Sequence, residues 1–549
     1  MKRRTLLRHA LAALPAGMLA ARAARAGHAA APGPNAAGPF SPDWQSLAQY
    51  RAPDWFRNAK FGIWAHWGPQ CEPEFGDWYA RLMYFQETDT YRHHVATYGH
   101  PSKVGFKDII RRWKAARWNP DELVALYKRC GARYFMAMAN HHDNFDLYDS
   151  RHQPQWNSVR MGPRKDIVGG WRRAAQAAGL PFGVSVHAAH AWTWLEASRN
   201  ADRDGPLMGV QYDGKLKRTQ GRGTWWDGLD PQALYEQDHP RSTDAGKLKA
   251  IWNQWNWNNG ASIPSAAYCD KFYRRTIDLL DRYEPDMVYF DDTVLPLWPV
   301  SDVGLKIAAH MYNRSVARHG RVEAVINGKI LDEEQRKCLV WDVERGQSGR
   351  IEPYPWQTCT CLGDWHYDRR IYQRKGYKSA TTVIQTLADV VSKNGNLLLS
   401  VPVRADGTID ELERAIVEEI GRWLAVNGEA IYDSRPWAVF GEGPSVEGAA
   451  PLEGPGFNEG KNKPYTGSDL RFTTRAGHVY AFVMARPDAD RIRIGSMGSS
   501  ASHLARPVTK VEILGHGDAP SFVQAADALT VGLPARALEA GSPLVLKIA

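Results

Sequence analysis

The chain lacks long apolar runs and has few cysteines for its length. No stretch of about 20 apolar residues, the length that a membrane-spanning helix needs, occurs in the body of its 549 residues. Six cysteines do not make a disulfide scaffold, so we expect buried free thiols, although Cys359 and Cys361 on one strand could pair with others. C-x-x-C and H-E-x-x-H spacings are also missing, which removes the common sequence signals for a zinc site.

The first 26 residues have the pattern of an export signal. Basic residues at 2–4 precede a stretch rich in leucine and alanine, which ends in an Ala-Arg-Ala cleavage pattern at 24–26. Arg3 and Arg4 ahead of this stretch favour a twin-arginine signal over a Sec signal. We therefore expect an exported protein, periplasmic or extracellular, in which residues 27–41 form a linker of small residues.

Much of the positive charge lies in this predicted signal. The formal net charge is +9, and residues 1–26 hold six basic side chains and no acidic one, so subtracting six leaves +3 for the remainder. Those six residues are Lys2, Arg3, Arg4, Arg8, Arg22 and Arg25. The sequence pI of about 9.1 is therefore no argument for nucleic-acid binding, and we expect neither nucleic acid nor a membrane as a partner.

Short apolar strands alternate with amphipathic helices over residues 42–437. The predicted strands are 61–67, 133–139, 182–187, 287–291, 322–326, 339–344, 357–362 and 396–402. Eight strands interleaved with helices predict a (β/α)8-type parallel barrel. A doubly wound open sheet is the alternative, but no glycine-rich phosphate turn follows the first strand.

Two further regions depart from this alternation. Residues 438–467 are rich in glycine and proline and predict a linker, and the short strands of residues 468–549 predict a C-terminal antiparallel β-sandwich. A long insertion at about 190–262 separates the third strand from the next helix, and loops of this length are usually functional. Its tryptophans are Trp192, Trp194, Trp225, Trp226, Trp252, Trp255 and Trp257.

Polar side chains stand at the C-terminal ends of the predicted strands. They include His66, His141, His142, His187, Asp291, Asp292, Lys329, Asp342 and Glu344. In a parallel barrel these ends lie on the face that carries the active site, so we expect the side chains to meet there.

Two chemistries fit such a set. Carboxylates from separate strands suit glycoside hydrolysis, and the surrounding histidine and tryptophan side chains suit a sugar. A histidine metal site is the rival, but neighbouring residues of a strand point to opposite sides, so His141 and His142 are not expected to chelate together. We therefore expect no metal and no cofactor.

Several motifs together resemble those of the α-L-fucosidases of glycoside hydrolase family 29. They are WFRNAKFGIWAHWG at 55–68, FGDWY at 75–79, NHHDNF at 140–145, WNS at 156–158, PDMVYFD at 285–291, VSKNGNLLL at 391–399, RADGT at 404–408 and NGEAIY at 427–432. The resemblance covers about residues 42–437 and, more weakly, the C-terminal region.

The resemblance implies a role for each matching residue. Asp291 falls at the family's nucleophile position and Glu344 at its acid/base position, with Asp292 as an alternative nucleophile and Glu352 or Asp342 as alternative acids. Substrate-binding positions match His66, Asp77, Trp78, His141, His142, His187 and Lys329, although Asp77 is shorter than the glutamate expected there and His187 departs from the family's usual strand ending.

The implied function is that of an exo-acting, retaining glycoside hydrolase that releases terminal α-L-fucose from an oligo- or polysaccharide. An α-L-galactosidase acting on a polysaccharide is the alternative, because L-galactose differs from L-fucose only at C6. The polysaccharide could be sulfated, because Lys215, Lys217, Arg218 and Arg222 lie in the insertion. An alternative of another class is a non-catalytic carbohydrate-binding protein. No sequence feature indicates an oligomeric state.

Overall fold

Eight parallel strands close into a barrel in the computed structural model of the chain. The structure describes residues 36–250, 257–452, 458–504, 506–517, 519–539 and 543–549. The predicted export signal and residues 27–35 of the linker lie outside the described residues. The barrel strands are β1 Phe61–Ala65, β2 Tyr134–Asn140, β3 Phe182–Val186, β4 Met287–Phe290, β5 Val325–Gly328, β6 Val340–Glu344, β7 Trp356–Cys361 and β8 Gly395–Ser400.

Closure occurs where β1 pairs in parallel with both β2 and β8, which confirms the predicted barrel. Nearly every residue of the eight strands is buried, as expected for a parallel sheet that is covered on both faces. β5 begins three residues later than predicted. Backbone groups of Glu323 are engaged elsewhere, because its N–H donates to Ser315 Oγ at 2.8 Å and its carbonyl accepts from Trp55 Nε1 at 2.8 Å.

Helices return the chain between most of the barrel strands. The longer ones are Asp89–Thr97, Pro120–Arg129, Ile167–Ala177, Ala266–Tyr283, Val303–His319, Ala380–Ser392 and Glu411–Asn427. Shorter helices, some of them before or after the barrel, are Trp44–Leu47, Asp54–Ala59, Tyr79–Leu82, Phe106–Arg112, Ala191–Trp194, Gln232–Tyr235, Arg369–Gln373, Pro444–Glu447 and Ala535–Glu539. Local sequence fixes several starts: the side chains of Asn119, Ser265 and Ser379 each accept a hydrogen bond from a backbone N–H of the first turn that follows.

Two antiparallel sheets follow the barrel. Their strands are β9 Arg435–Glu442, β10 Leu470–Arg475, β11 His478–Val483, β12 Arg491–Ile494, β13 Val511–Ile513, β14 Phe522–Gln524, β15 Leu529–Gly532 and β16 Leu544–Ile548. One sheet has the order β13-β16-β11-β10-β9 and the other β12-β15-β14. Phe472 and Val483 of the first sheet share a core with Ile494 and Val531 of the second, so the predicted sandwich is confirmed. β9 crosses the predicted boundary at residue 437, because it pairs with β10.

The Trp-rich insertion follows β3 and packs into the barrel rather than standing off as a separate lobe. Trp192, Trp194, Trp226 and Trp257 are buried, while Trp252 and Trp255 lie outside the described residues. Two backbone carbonyls of the insertion also accept side-chain hydrogen bonds from the β2–β3 loop, one from Asn144 and one from Trp156, each at 2.8 Å. Because it follows the C-terminal end of β3, the insertion covers part of the face where the polar side chains were expected.

The remaining sequence expectations concern membrane-spanning helices and the cysteines. Across the part of the chain that the structure describes, no helix has both the length and the apolar character required to cross a bilayer. All six cysteines are buried and unpaired, as expected for free thiols.

Candidate active site

The polar side chains predicted at the strand ends converge at the C-terminal mouth of the barrel. Asp291 directly follows β4, Glu344 is the last residue of β6, and Lys329 directly follows β5. His142 and His187 come from the ends of β2 and β3. Side chains from five different strands therefore meet at one place, although they are spread over some 200 residues of sequence.

Asp291 is the centre of this group. Its Oδ2 atom accepts hydrogen bonds from His142 Nε2 at 3.0 Å and from His187 Nδ1 at 2.9 Å, and its Oδ1 atom contacts Lys329 Nζ. Burial alone would raise the pKa of Asp291, but the Lys329 ammonium and the two histidine hydrogen bonds outweigh burial and hold the pKa well below its usual value. The site therefore keeps Asp291 as a carboxylate.

The two histidines that contact Asp291 differ in the hydrogen bonds that a neutral ring can make. His187 donates from Nδ1 to Asp291, and its Nε2 accepts from the Ser185 hydroxyl at 3.0 Å, so a neutral ring satisfies both contacts. His142 faces two acceptors, Asp291 and the His187 carbonyl at 2.7 Å, so it makes both hydrogen bonds only when it is charged. Burial lowers the pKa of His142 and opposes that charge. His187 is therefore the histidine that supports the carboxylate in its neutral form.

Lys329 joins Asp291 to Glu344. Its Nζ atom contacts Oδ1 of Asp291 and Oε2 of Glu344. Burial would lower the pKa of Lys329, but the two carboxylates raise it well above its usual value. Because both oxygens touch one nitrogen, they lie no farther apart than two hydrogen bonds, about 6 Å or less.

The alternative carboxylates have structural partners instead. Asp292 accepts from His190 Nε2 at 2.9 Å and from two backbone N–H groups of its own loop. Asp342 accepts from Gln357 Nε2 at 2.7 Å, and burial raises its pKa to about 7. Glu352 is held by Ser348, Arg336 and Arg350. Of the acids considered from sequence, Glu344 is therefore the one that shares Lys329 with Asp291.

A wall of buried histidines, His66, His141 and His366, lines the same mouth. Both ring nitrogens of His66 and the Nε2 atom of His366 are buried and have no hydrogen-bond partner among the described residues. His141 Nδ1 accepts from Gln70 Nε2 at 2.8 Å. Burial, followed by the neighbouring histidines, holds the pKa values of His66 and His141 well below their usual value. Neutral imidazoles can both donate to and accept from hydroxyl groups, so this wall suits a polyol.

The histidine wall also corrects the argument from strand alternation. β2 ends at Asn140, so His141 and His142 are no longer on a strand, and their ring centroids lie 4.5 Å apart. Two triads each bring their ring nitrogens within 4.8 Å, and either could hold a transition metal ion. They are His66, His141 and His366 in one and His141, His142 and His187 in the other.

Asp77 lies beside this wall, where it organises the loop after β7. Its carboxylate accepts from the backbone N–H groups of Trp365 at 3.2 Å and His366 at 2.7 Å, and it lies 3.3 Å from His366 Nδ1. Trp78, the next residue, precedes the helix Tyr79–Leu82 with φ 58° and ψ 26°, a left-handed conformation that is uncommon for a bulky residue. Asp77 therefore holds the loop that carries Trp365 and His366.

Sequence reasoning missed Trp365 and His366. The Trp365 ring lies 5.6 Å from that of His66, and the His366 ring lies 4.7 Å from it, so both are part of the mouth. They follow β7 after a short turn, and the rule that polar residues after a barrel strand line the site would have found them if it had been applied to this strand as well.

Comparisons with known proteins agree with this architecture. The family model described as Alpha-L-fucosidase matches residues 28–429. The bovine tissue α-L-fucosidase is 26% identical over 419 residues, which is 74% of each chain, and the mouse enzyme of the same name is 24% identical over 510 residues, which is 90% of each chain. The crystal structure of a Thermotoga maritima α-fucosidase in complex with fucose superposes with a TM-score of 0.64 at 24% identity, covering 93% of this chain and 100% of that one.

Proposed function

The chain belongs to the α-L-fucosidase family, and on that premise we propose that it is an exo-acting, retaining glycoside hydrolase that releases terminal α-L-fucose from glycans. The observation that carries the proposal is the contact of Lys329 Nζ with both Asp291 and Glu344. Retaining glycosidases hold their two carboxyl groups about 5–5.5 Å apart, and inverting ones about 6.5–9.5 Å. Two oxygens that share one nitrogen fit the shorter separation.

In the first step the Asp291 carboxylate attacks the anomeric carbon and forms a glycosyl ester. The bond from that carbon to the leaving oxygen breaks, and Glu344 gives its proton to this oxygen. In the second step Glu344 takes a proton from water, the water oxygen attacks the anomeric carbon, and the ester bond to Asp291 breaks. The sugar leaves with its original anomeric configuration.

Lys329 can stabilise the negative charge both before and after the first step. Before attack the negative charge is on Asp291 and Glu344 carries the proton, whereas after attack Asp291 is a neutral ester and Glu344 is the carboxylate. An ammonium that contacts both side chains stays next to the charge as it moves, without any rearrangement of the chain.

The histidine wall supports the choice of a sugar as substrate. His66 and His366 offer buried ring nitrogens without partners among the described residues, which an apolar ligand would leave unsatisfied. Trp365 lies beside them, and its aromatic face suits the apolar face of a sugar ring. We also propose that the protein is exported, on the support of the signal pattern in residues 1–26.

One panel tests the substrate and the stereochemistry together. The purified protein is incubated with aryl α-L-fucoside, aryl α-L-galactoside and aryl β-D-galactoside, and the first sugar released is observed by proton NMR. We expect the fucoside to react fastest and α-L-fucose to appear before its β-anomer. Faster cleavage of the α-L-galactoside would identify the protein as an α-L-galactosidase instead. First release of the β-anomer would refute retention, and no cleavage of any substrate would favour a binding protein.

A further inference from the structure

A polar cleft of about 290 Å³ lies where the Trp-rich insertion meets the segment 84–87. Its lining includes Arg199, Arg203 and Arg241 of the insertion, together with Gln86 and Glu87. The mechanism uses none of these residues, and the sequence analysis did not single them out.

The hydrogen bonds of the three guanidinium groups go to neutral acceptors. Arg199 Nη1 donates to the His239 carbonyl at 2.8 Å, and Arg203 Nη2 donates to the Gly246 carbonyl at 2.9 Å. Arg241 Nη2 donates to Asn200 Oδ1 at 2.6 Å and to the Glu196 carbonyl at 3.1 Å. Elsewhere a buried arginine pairs with a carboxylate, as Arg275 does with Asp146 at 2.7 Å.

Negative charge in the cleft is sparse. Glu87 lies 3.8 Å from Arg203 Nη1, and both side chains are exposed, so solvent weakens their attraction. The Oε1 atom of Glu196 is turned toward Ser242, accepting from its N–H at 2.8 Å and from its hydroxyl at 3.0 Å.

The pKa values of the arginines agree with the shortage of negative charge in the cleft. Burial, and then the charge of Arg199, lowers the pKa of Arg241 although Glu196 acts to raise it, and burial lowers the pKa of Arg199 although Glu196 and Asp238 act to raise it. The Nε atom of Arg241 is buried and has no hydrogen-bond partner among the described residues. A donor without an acceptor, in a group of like charges, is the state that a bound anion relieves.

Two chain segments connect this cleft to the barrel mouth. The Trp194 ring lies 5.7 Å from the His141 ring, and the 3₁₀ helix Leu195–Arg199 leads from it to the cleft, a rise of roughly 10 Å. On the other side, Asp77, which holds His366 of the mouth, leads through the helix Tyr79–Leu82 to residues 84–87. Short stretches of chain thus separate the cleft from residues that border the mouth.

We propose that this cleft binds an anionic group, a sulfate ester or a uronate carboxylate, on the part of the glycan that follows the terminal sugar. Guanidinium groups match both anions because each offers paired N–H donors in one plane. The inference rests on the proposed function and narrows its substrates to acidic glycans. The proposed anion contact is thus at the cleft arginines and not at Lys217, a basic residue of the insertion that lies 3.1 Å from Asp238.

The test compares Arg203→Gln and Arg199→Gln with Arg222→Gln. Arg222 is exposed in the same insertion and lies outside the cleft lining, so its variant removes the same charge from another place. Each protein is assayed on a sulfated fuco-oligosaccharide, its desulfated counterpart, a uronate-bearing counterpart and a small aryl fucoside. Thermal melts establish that the variants fold. Arg203→Gln is the substitution least able to disturb folding, because the Arg203 side chain is 60% exposed.

We expect Arg203→Gln and Arg199→Gln to lower kcat/KM about fivefold to tenfold on whichever acidic substrate the wild type prefers. The values for the neutral oligosaccharide and the aryl fucoside should not change, and Arg222→Gln should behave as wild type. The preferred acidic substrate identifies the anion. Equal losses on acidic and neutral substrates, an equal loss in Arg222→Gln, or no preference of the wild type for an acidic substrate would overturn the cleft proposal.

Failure of the proposed function has a different signature, because no variant would then cleave the aryl fucoside. In that case calorimetry with the same oligosaccharides still decides the cleft proposal. The wild type must bind an acidic oligosaccharide more tightly than its neutral counterpart, and Arg203→Gln must remove that difference. Equal affinities would overturn the proposal.

Discussion

His187 donates a hydrogen bond from Nδ1 to Oδ2 of Asp291 over 2.9 Å, and its other ring nitrogen, Nε2, lies 3.0 Å from the Ser185 hydroxyl. Because the Asp291 carboxylate can only accept, Nδ1 carries the proton and Nε2 is left to accept from the Ser185 hydroxyl. The histidine therefore supports the carboxylate while it remains neutral. The strand that supplies both residues therefore helps to prepare the proposed nucleophile.

Replacing His187 with leucine should impair the nucleophile. Losing a hydrogen bond to a charged group costs about 1.5–3 kcal/mol, so we expect kcat to fall about tenfold to a hundredfold. The pKa of Asp291 should rise, because one of the contacts that lowers it is gone, and the acid limb of the kcat/KM profile should move to higher pH. His187→Gln, which keeps an N–H donor, is the control and should shift less. An acid limb that stays in place in His187→Leu would contradict this role.

Replacing Lys329 with methionine should leave two neighbouring carboxyl groups without a cation. The pKa of Asp291 should then rise, because burial already favours the neutral acid and the ammonium no longer opposes it. We expect the acid limb of kcat/KM to move upward in pH by more than in the His187 variants, with kcat reduced at least about a hundredfold. Lys329→Arg retains the charge and should keep the acid limb close to that of the wild type. A methionine variant with an unchanged profile would remove Lys329 from the mechanism.

Replacing Glu344 with glutamine should remove the proton donor. We expect the loss to be about 10²–10⁴-fold on a glycan, whose leaving group needs a proton, and much smaller on an aryl fucoside with a good leaving group. Asp342→Asn is the matched control, because the pKa of Asp342 is raised to about 7 and a neutral side chain there resembles a form that the protein already populates. If Asp342→Asn showed the same dependence on leaving group and Glu344→Gln did not, the assignment would move to Asp342.

His94 should make the fold sensitive to mild acid. Its Nδ1 atom accepts from the Tyr79 hydroxyl at 2.8 Å and its Nε2 atom donates to the Val104 carbonyl at 2.7 Å, and burial lowers its pKa to about 4. Between pH 6.5 and about 4 the unfolded chain binds a proton that the folded chain does not, so the free energy of unfolding falls as the pH falls. Above pH 6.5 this contribution vanishes.

At pH 5 the expected cost of that linkage is about 2 kcal/mol. Denaturant unfolding at pH 7 and pH 5 measures it, with His94→Gln as the comparison, because glutamine does not titrate. The wild type should lose about 2 kcal/mol more between the two pH values than the variant loses. Equal losses would mean that His94 is protonated without cost in the folded protein.

The histidine triads predict a response to metal ions. Ring nitrogens of His66, His141 and His366 within 4.8 Å of one another suit Zn²⁺ or Cu²⁺, and an ion held there would occupy the region proposed for the sugar. We expect these ions to inhibit competitively, His366→Phe to weaken the inhibition, and a chelator to leave the activity unchanged. Loss of activity in the chelator, restored by Zn²⁺, would instead favour a metal hydrolase.

The barrel could be predicted from sequence because its strands are buried on both faces and appear as short apolar runs between amphipathic helices. In the C-terminal region the sequence predicts strands at 470–473, 478–484, 491–494, 509–513, 528–532 and 544–548, and it misses β9 and β14 for the opposite reason. Their residues are mostly half-exposed, so no clear alternation of apolar and polar residues marks them. Helix starts at Asn119 and Ser265 were predictable because the capping side chain acts within one turn.

Most of the site could be predicted from one rule, that the residues after parallel strands share a face. The rule brought Asp291, Glu344 and the histidines together, but it could not show that Lys329 contacts both acids, because this depends on the reach of one side chain across three strands. Nor could it separate the arginines of the cleft from other basic residues of the insertion. Lys217, for example, lies 3.1 Å from Asp238, a partner too distant in sequence for the pairing to be predicted.

The central claim is that Asp291 forms a covalent bond to the sugar. The direct measurement is incubation with a 2-deoxy-2-fluoro-α-L-fucosyl fluoride, which slows hydrolysis of the ester, followed by intact-mass analysis and peptide mapping. The account predicts an added mass of one fluorofucosyl group on the peptide that contains Asp291, and no adduct in Asp291→Asn. An adduct on another residue, or hydrolysis of the reagent without any detectable adduct in the wild type, would contradict it.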